Sequence, residues 1–384
     1  MIVNEPEQKR KKIALVANST WSIYNFRMDL LRHLLKRFDL LVIAPGDDFV
    51  MELKNAGCTY RNIDFNNRSE NPVRDYGMYK SLKKIYKDEK PDFIFHYVIK
   101  PNIYGSLAAA KIGIRSVAVI TGLGYTFDRH NWLNRIVSIL YRKALKKATE
   151  VLFLNHEDAD LFIQRKLVSK EKIKVLPGEG INTSYFFPQA NKPVARSKAF
   201  QFLMSTRLLR SKGVAVYVEA ARILKTRHRD IRFELIGFFE KNHPDSISES
   251  EIRQWQKKGI IHYGGFARDV RPFLRQADCF VFPSFYHEGI PRCLLEAASM
   301  EVPIITSRNT GCTEVVQEGV NGFLSVPNNA GDLAMRMEEM MALTPARRAE
   351  LGRNGRELVS AKFGIERILE EYDRTLAGLM HDGG

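Results

Sequence analysis

Two carboxylates, Glu288 and Glu296, stand with seven residues between them in the stretch 284–296, which reads SFYHEGIPRCLLE. The turn Gly289, Ile290, Pro291 and Arg292 lies between them. Pro291 suits the first residue of a helix, where its missing N–H costs nothing. The backbone N–H groups around it, with the positive helix end, then face a diphosphate. Glu296 lies about 7–8 Å up that helix, too far for phosphates to repel it strongly. A carboxylate on each side of a phosphate-binding turn finds its partners in hydroxyl groups, which donate to it. The pattern asks for a ligand whose diphosphate is flanked by hydroxyl-bearing groups, one meeting Glu288 and the other Glu296. His287 adjoins Glu288 and is a further polar candidate, as is His130 in the first half of the chain.

Arg207 and Lys212, in the stretch 205–213 (STRLLRSKG), supply positive charge. Converging on the same diphosphate, they neutralise a leaving group as its charge builds. An Arg–Lys pair at a helix start is by itself usually a solvated feature; beside Glu288 and Glu296 it gains meaning.

These side chains need rigid elements to hold them. Apolar runs at 13–18, 40–44, 93–96, 117–120 and 151–154 read as buried strands, and segments with helical spacing, such as 24–37, 76–87 and 132–148, alternate with them. The alternation restarts with strand-like runs at 202–205, 233–237, 260–263, 279–283 and 304–306. Strands alternating with helices predict parallel sheets covered on both faces, here two of them in an α/β chain. In such sheets ligands sit beyond the carboxyl ends of strands, which is where Arg207, Lys212 and Glu288 fall. The turn-rich stretch 176–188 and the polar stretch 189–198 between the two series predict a hinge. The expected domains are 1–185, 186–362 and a C-terminal helical segment, 363–384, crossing back toward the first. Residues 346–379 read as purely helical and are expected to close over the interdomain seam.

A chain of 384 residues splits more readily into two cores than it enlarges one. Its 45% hydrophobic and 27% charged residues exclude disorder as the main state. The formal charge of +15 is uneven: residues 1–185 hold 31 Lys and Arg against 20 Asp and Glu, and the remainder 28 against 24. A basic first half fits an anionic membrane surface, an anionic lipid-linked substrate or nucleic acid. Cys58, Cys279, Cys293 and Cys312 have neither metal-ligand nor CxxC spacing and suit a reducing cytosol. No signal peptide is legible, and no run approaches the roughly 18 apolar residues of a spanning helix, so any membrane attachment is expected to be peripheral.

The Glu288/Glu296 pair, with the match extending through 297–298, 303–305, Gly311, Glu314 and 319–323, resembles the GT4 family of glycosyltransferases. The resemblance implies a GT-B fold, two doubly wound Rossmann-like domains facing across a cleft, and transfer from a nucleotide-diphospho-sugar with retention of configuration. It implies that Glu288 meets the sugar and Glu296 the ribose, that Arg207 and Lys212 hold the diphosphate, that Gly237 lines the donor cleft, and that residues near Phe266 and Arg268 hold the nucleobase. No metal or other cofactor is expected. Asp158 and Asp160 have the spacing of a metal-binding Asp-x-Asp, but their place at a helix start favours acidic residues complementing the dipole. UDP-GalNAc, UDP-GlcNAc and UDP-galactose are expected ahead of GDP-mannose.

In the first half, the stretch 96–105 (HYVIKPNIYG) and the stretch 120–127 (ITGLGYTF) resemble bacterial GT4 enzymes, PglA-like, that extend polyprenyl-diphosphate-linked sugars. The resemblance implies acceptor contacts from Lys100, Asn102, Thr121, Gly122, Leu123, Gly124 and Tyr125, glycines letting backbone approach the substrate closely. Thr121 stands where such enzymes carry a glutamate. The implied setting is bacterial surface glycan or glycoprotein glycan assembly at the inner face of the cytoplasmic membrane. In the segment 132–147, Trp132, Leu133, Ile136, Val137, Leu140 and Tyr141 share one helical face, with Arg135, Arg142, Lys143, Lys146 and Lys147 elsewhere, a pattern that fits a lipid interface or a buried domain helix with a basic outer face. Two rival readings are a sugar-nucleotide epimerase of similar fold and a basic nucleic-acid-binding protein; the latter leaves Glu288 and Glu296 unexplained and has no aromatic-basic recognition module.

Overall fold

The structure, a computed structural model, describes residues 10–64, 72–122, 132–188, 199–240, 243–286 and 288–381. The chain divides into two compact units, Met1–Glu179 with Glu366–Gly384, and Gly180–Ile365. The first crossing falls inside the turn-rich stretch 176–188, and the expected limits at 185 and 362 compare with 179 and 365 here.

Unit 1 is built on seven strands: β1 (Lys12–Val16), β2 (Asp39–Ala44), β3 (Thr59–Asn62), β4 (Phe93–Tyr97), β5 (Arg115–Ile120), β6 (Glu150–Phe153) and β7 (Ile173–Val175). They form one parallel sheet in the order β3-β2-β1-β4-β5-β6-β7, with Ile13 opposite Leu40 on one side and Phe93 on the other. Ile13, Ala14, Leu15 and Val16 are all fully buried, as expected of a central strand covered on both faces. Strand order reverses between β1 and β4, which is the switch point of this sheet.

Unit 2 carries β8 (Phe200–Ser205), β9 (Ile231–Ile236), β10 (His262–Tyr263), β11 (Cys279–Phe282), β12 (Ile304–Ser307) and β13 (Gly322–Ser325) in the parallel order β10-β9-β8-β11-β12-β13. Its switch point lies between β8 and β11. Alternate residues of β8 feed opposite cores: Phe202 packs with Tyr217 and Phe233, whereas Leu203 packs with Phe280, Leu294 and Val359. Burying each such side chain contributes roughly 1.5–3 kcal/mol.

The stretch 346–379, expected to be purely helical, is two helices, Pro345–Phe363 and Ile365–His381, broken at Gly364. Gly364 is extended (ψ 140°) and bridges Ile181; the Ile181 N–H donates to the Phe363 carbonyl (2.9 Å) and the Ile365 N–H to the Ile181 carbonyl (3.0 Å). The chain's two crossings are thus paired side by side. Beyond them the last helix completes unit 1: Tyr372, Leu376 and Leu379 are buried, the Tyr372 ring meets Phe95 at 5.3 Å, and its hydroxyl meets that of Tyr97 at 3.1 Å.

Candidate active site

β8 and β11 are parallel neighbours, so the loops leaving them start side by side. Gly213 fastens the two. Its φ of 81° lies in the left-handed region, and a Cβ there would stand 2.1 Å from the Pro283 carbonyl oxygen. Two residues earlier, the Ser211 carbonyl accepts from the N–H groups of Phe285 (2.9 Å) and Tyr286 (3.2 Å). A third loop, after β12, braces the second: Asn309 donates to the carbonyls of Ser284 and Tyr286, and Gly311, φ 73°, leaves no room for a Cβ, which would stand 1.5 Å from the Gly289 carbonyl oxygen.

This lacing brings Lys212 and Glu288 together. The Lys212 Nζ donates to both Glu288 oxygens, at 2.5 and 2.7 Å, and Ser284 Oγ donates to Oε1 at 2.6 Å. Lys212 and Glu288 are 7% and 8% exposed. The Tyr286 ring lies 4.7 Å from the same ammonium. A buried ion pair is a poor way to stabilise a fold, because desolvation consumes most of the Coulomb attraction, while leaving one partner alone costs about 3–5 kcal/mol. At a strand-end switch point such a pair marks a functional site instead.

Arg207 takes a different partner. Its guanidinium pairs with Glu240 at 2.9 Å and is 39% exposed. Arg207 and Lys212 were both expected on one diphosphate; in the structure each is held by its own carboxylate. Glu240, Ser284 and Asp245, which accepts from the Ser211 N–H at 2.8 Å, went unnoticed in the sequence. All three lie in loops after strands β8 to β11, so a systematic reading of strand-end loops finds them.

Glu296 is joined to Arg292, one helical turn earlier on the helix Arg292–Ser299, at 3.1 Å. Burial pushes the Glu296 carboxyl up, against the pull of the Arg292 guanidinium. Arg292 also donates to the Gly180 carbonyl at 3.3 Å. One expectation is corrected here. Pro291 is not the first helical residue but the cap before it, with ψ 114°; its carbonyl accepts the Leu294 N–H at 3.1 Å, so the helix opens at Arg292. Gly289 and Ile290 lie in the turn that precedes this cap.

Gly237 and Phe266 share the β9–β10 rim. The Gly237 N–H donates to the Gly265 carbonyl (2.9 Å), the Tyr263 hydroxyl donates to the Gly237 carbonyl (2.8 Å), and the exposed Phe266 ring stands edge-to-face on Phe238, centroids 5.8 Å apart. Arg268 is exposed on the same segment.

In unit 1, β4 is followed by Val98, whose φ of 65° is a strained conformation for a β-branched residue, and the chain then winds into a π-helix, Pro101–Gly105. Lys100 is paired with Asp75 (2.7 Å), which also accepts from the Tyr104 hydroxyl (2.9 Å). Asn102 departs from the sequence expectation. It is fully buried and donates to the Val119 carbonyl at 2.9 Å, so it holds the end of β5. Thr121 and Gly122 follow β5 directly and are half-buried. Leu123, Gly124, Tyr125, His130 and His287 lie outside the described residues. Asp158 is buried; its N–H donates to Asn155, the cap of the helix His156–Gln164. On the helix Trp132–Lys147, Tyr141 is buried and Val137 and Leu140 pack on the core, whereas Ile136 and Ile139 are exposed among Arg135, Arg142, Lys143, Lys146 and Lys147; the side chains of Trp132 and Leu133 lie outside the described residues. Among the described residues no helix is long and apolar enough to cross a membrane.

The model of the glycosyl transferases group 1 family matches residues 187–358, and that of the glycosyl transferase 4-like family matches residues 12–155. The chain is 30% identical to the N,N'-diacetylbacillosaminyl-diphospho-undecaprenol alpha-1,3-N-acetylgalactosaminyltransferase of Campylobacter jejuni, over 95% of this chain and 99% of that one. It is 29% identical to the UDP-Gal:alpha-D-GlcNAc-diphosphoundecaprenol alpha-1,3-galactosyltransferase of Escherichia coli, over 66% and 67% of the two chains. Among solved structures, Anabaena HepE in complex with UDP and glucose superposes with a TM-score of 0.79 at 18% identity, over 96% of this chain and all of that one, which gives the fold as GT-B. The chain is a glycosyltransferase and belongs to the GT4 family.

Proposed function

We propose that this enzyme moves a hexose or N-acetylhexosamine, with retention of configuration, from a UDP-sugar to a polyprenyl-diphosphate-linked sugar in surface glycan or glycoprotein glycan assembly. The observation that carries the donor half is the buried Lys212–Glu288 pair at the joined carboxyl ends of β8 and β11. Lys212 and Arg207, the latter exchanging Glu240 for a phosphate oxygen, take the diphosphate; Glu288 accepts from the sugar and Glu296 from the ribose; the Phe266–Phe238 pair and Arg268 offer a face for the base, with Gly237 and the Gly289 to Arg292 turn lining the site. In the transfer the acceptor oxygen bonds the anomeric carbon as its bond to the phosphate oxygen breaks. The electron pair leaves on the diphosphate, which also accepts the acceptor's proton. Cations fixed on that developing charge lower the barrier. No metal or cofactor enters this scheme.

The lipid-linked acceptor is supported by the likeness over nearly the whole length to an enzyme named for a diphospho-undecaprenol substrate. Lys100, Thr121, Gly122, Leu123, Gly124 and Tyr125 are the residues proposed to receive it. Ile136 and Ile139, exposed among five cationic side chains, suit peripheral contact with an anionic membrane surface at the cytoplasmic face. Incubation with UDP- and GDP-sugars and short polyprenyl-diphosphate sugars, read by mass, tests the whole reading. A product one hexose or N-acetylhexosamine heavier, with release of UDP, is expected. Transfer to soluble acceptors alone removes the lipid-linked acceptor, and transfer from GDP-sugars alone removes the uridine donor.

A further inference from the structure

Ser284 is fully buried at the end of β11, and its hydroxyl has one proton to give. Two acceptors stand in range, Glu288 Oε1 at 2.6 Å and the Ser211 carbonyl at 3.3 Å. The Ser211 carbonyl already accepts the N–H groups of Phe285 and Tyr286, and the bond to a carboxylate is shorter and charge-assisted, so the proton goes to Glu288. The Ser284 oxygen in turn shares the Tyr286 N–H, at 3.3 Å, with the Ser211 carbonyl.

The consequence is an asymmetric carboxylate. An ionised carboxylate offers about four acceptor positions. Lys212 takes one on each oxygen, an arrangement that reads the same if the group flips. Ser284 takes a second position on Oε1 alone, which leaves the spare position on Oε2. We propose that Ser284 is a positioning residue of the donor site: its hydroxyl holds the plane of the Glu288 carboxylate and fills the acceptor position on its own side, and so aims the one remaining acceptor position at a single sugar hydroxyl. This rests on the reading of Glu288 as the residue that meets the donor sugar. A β11 end carrying alanine instead of serine keeps the ion pair and loses its handedness.

The experiment uses the full chain with Ser284→Ala, which removes one oxygen without adding bulk, and Ser284→Cys, which keeps a weaker donor. Transfer is followed with a UDP-sugar that the unmodified enzyme turns over, and UDP binding is followed by calorimetry. Ser284→Ala is expected to lower kcat roughly ten- to thirtyfold, the worth of a hydrogen bond to a charged group, while UDP affinity stays within about threefold; Ser284→Cys falls between. Turnover of Ser284→Ala within about twofold of the unmodified enzyme overturns the proposal. So does an equal fall in UDP affinity and turnover, which means that the loop itself has collapsed. If the unmodified enzyme turns over no UDP-sugar while still binding UDP, the failure lies with the donor reading and not with Ser284.

Discussion

In unit 1 the helix Thr20–Leu34 that leaves β1 begins at Ser19, whose Oγ accepts the Ser22 N–H at 3.1 Å. The Asp47 carboxylate also sits on this start, accepting from the Trp21 N–H at 2.8 Å and from the Thr20 hydroxyl. In unit 2 the helix Val214–Lys225 leaving β8 begins at Gly213 and the helix Arg292–Ser299 leaving β11 begins at Pro291, and among the described residues neither start has a side-chain cap. The ionisable groups differ in the same sense. His96, near the end of β4, is buried between the Tyr86 hydroxyl (2.9 Å) and that of Ser106 (3.3 Å), and burial lowers its pKa to about 3. After β11, the strand of matching place in unit 2, the buried groups are a cation and an anion. The same winding thus supplies its own anion and a neutral imidazole in unit 1, and in unit 2 sets two helix starts without a side-chain cap beside a buried charged pair.

The largest effect belongs to Lys212. Lys212→Met is expected to lower kcat by about 10²–10³-fold, with UDP affinity falling less than about tenfold, because stabilisation of a leaving group is felt in the transition state. Glu288→Gln added to it removes the orphaned charge, so melting temperature recovers and turnover does not. Recovery of both would reduce the pair to a structural feature and end the contrast between the units.

His96 gives a smaller effect on unit 1. Between its folded pKa of about 3 and the ordinary 6.5, the unfolded chain binds a proton that the folded one refuses. The contribution to stability is therefore complete above about pH 6.5 and falls with the pH, by about 2 kcal/mol at about pH 5. His96→Asn removes this slope. Unfolding of the two proteins across that range measures it, and parallel curves would mean that the imidazole titrates freely in the folded protein.

Asp47→Ala has the smallest effect, about 1 kcal/mol of stability for a lost helix cap, with UDP affinity unchanged. A loss of UDP binding would give unit 1 a share of the donor site and weaken the division drawn above.

The parallel sheets were legible because central strands such as β1, β4 and β11 are built on apolar runs, 13–16, 93–95 and 279–282. β3 went unseen, since the edge sequence Thr-Tyr-Arg-Asn has no such run, and so did the short β7 and β13. The helix from Thr20 starts four residues before its apolar spacing does, because the Ser19 cap and not periodicity sets its first turn. Lys212 and Glu288 were legible as residues of strand-end loops, but their pairing was not, since it depends on Gly213 and Gly311 letting three loops touch. Arg207 with Glu240 and Glu296 with Arg292 escaped for a similar reason: the sequence presents charges, and only packing assigns partners. Asn102 was placed on the acceptor side by resemblance of the stretch 96–105 alone, which carries no sign that the π-helix turns it inward.

The pairing of Ile181 with Gly364 and Ile365 bears on the order in which the protein is made. Residues 180–365 are all synthesised before the helix that covers Phe95 and Tyr97 emerges. During translation unit 2 can therefore finish while unit 1, begun first, still carries an uncovered apolar face. The first unit to start is the last to close, and in that interval its unfinished surface is what a chaperone would meet.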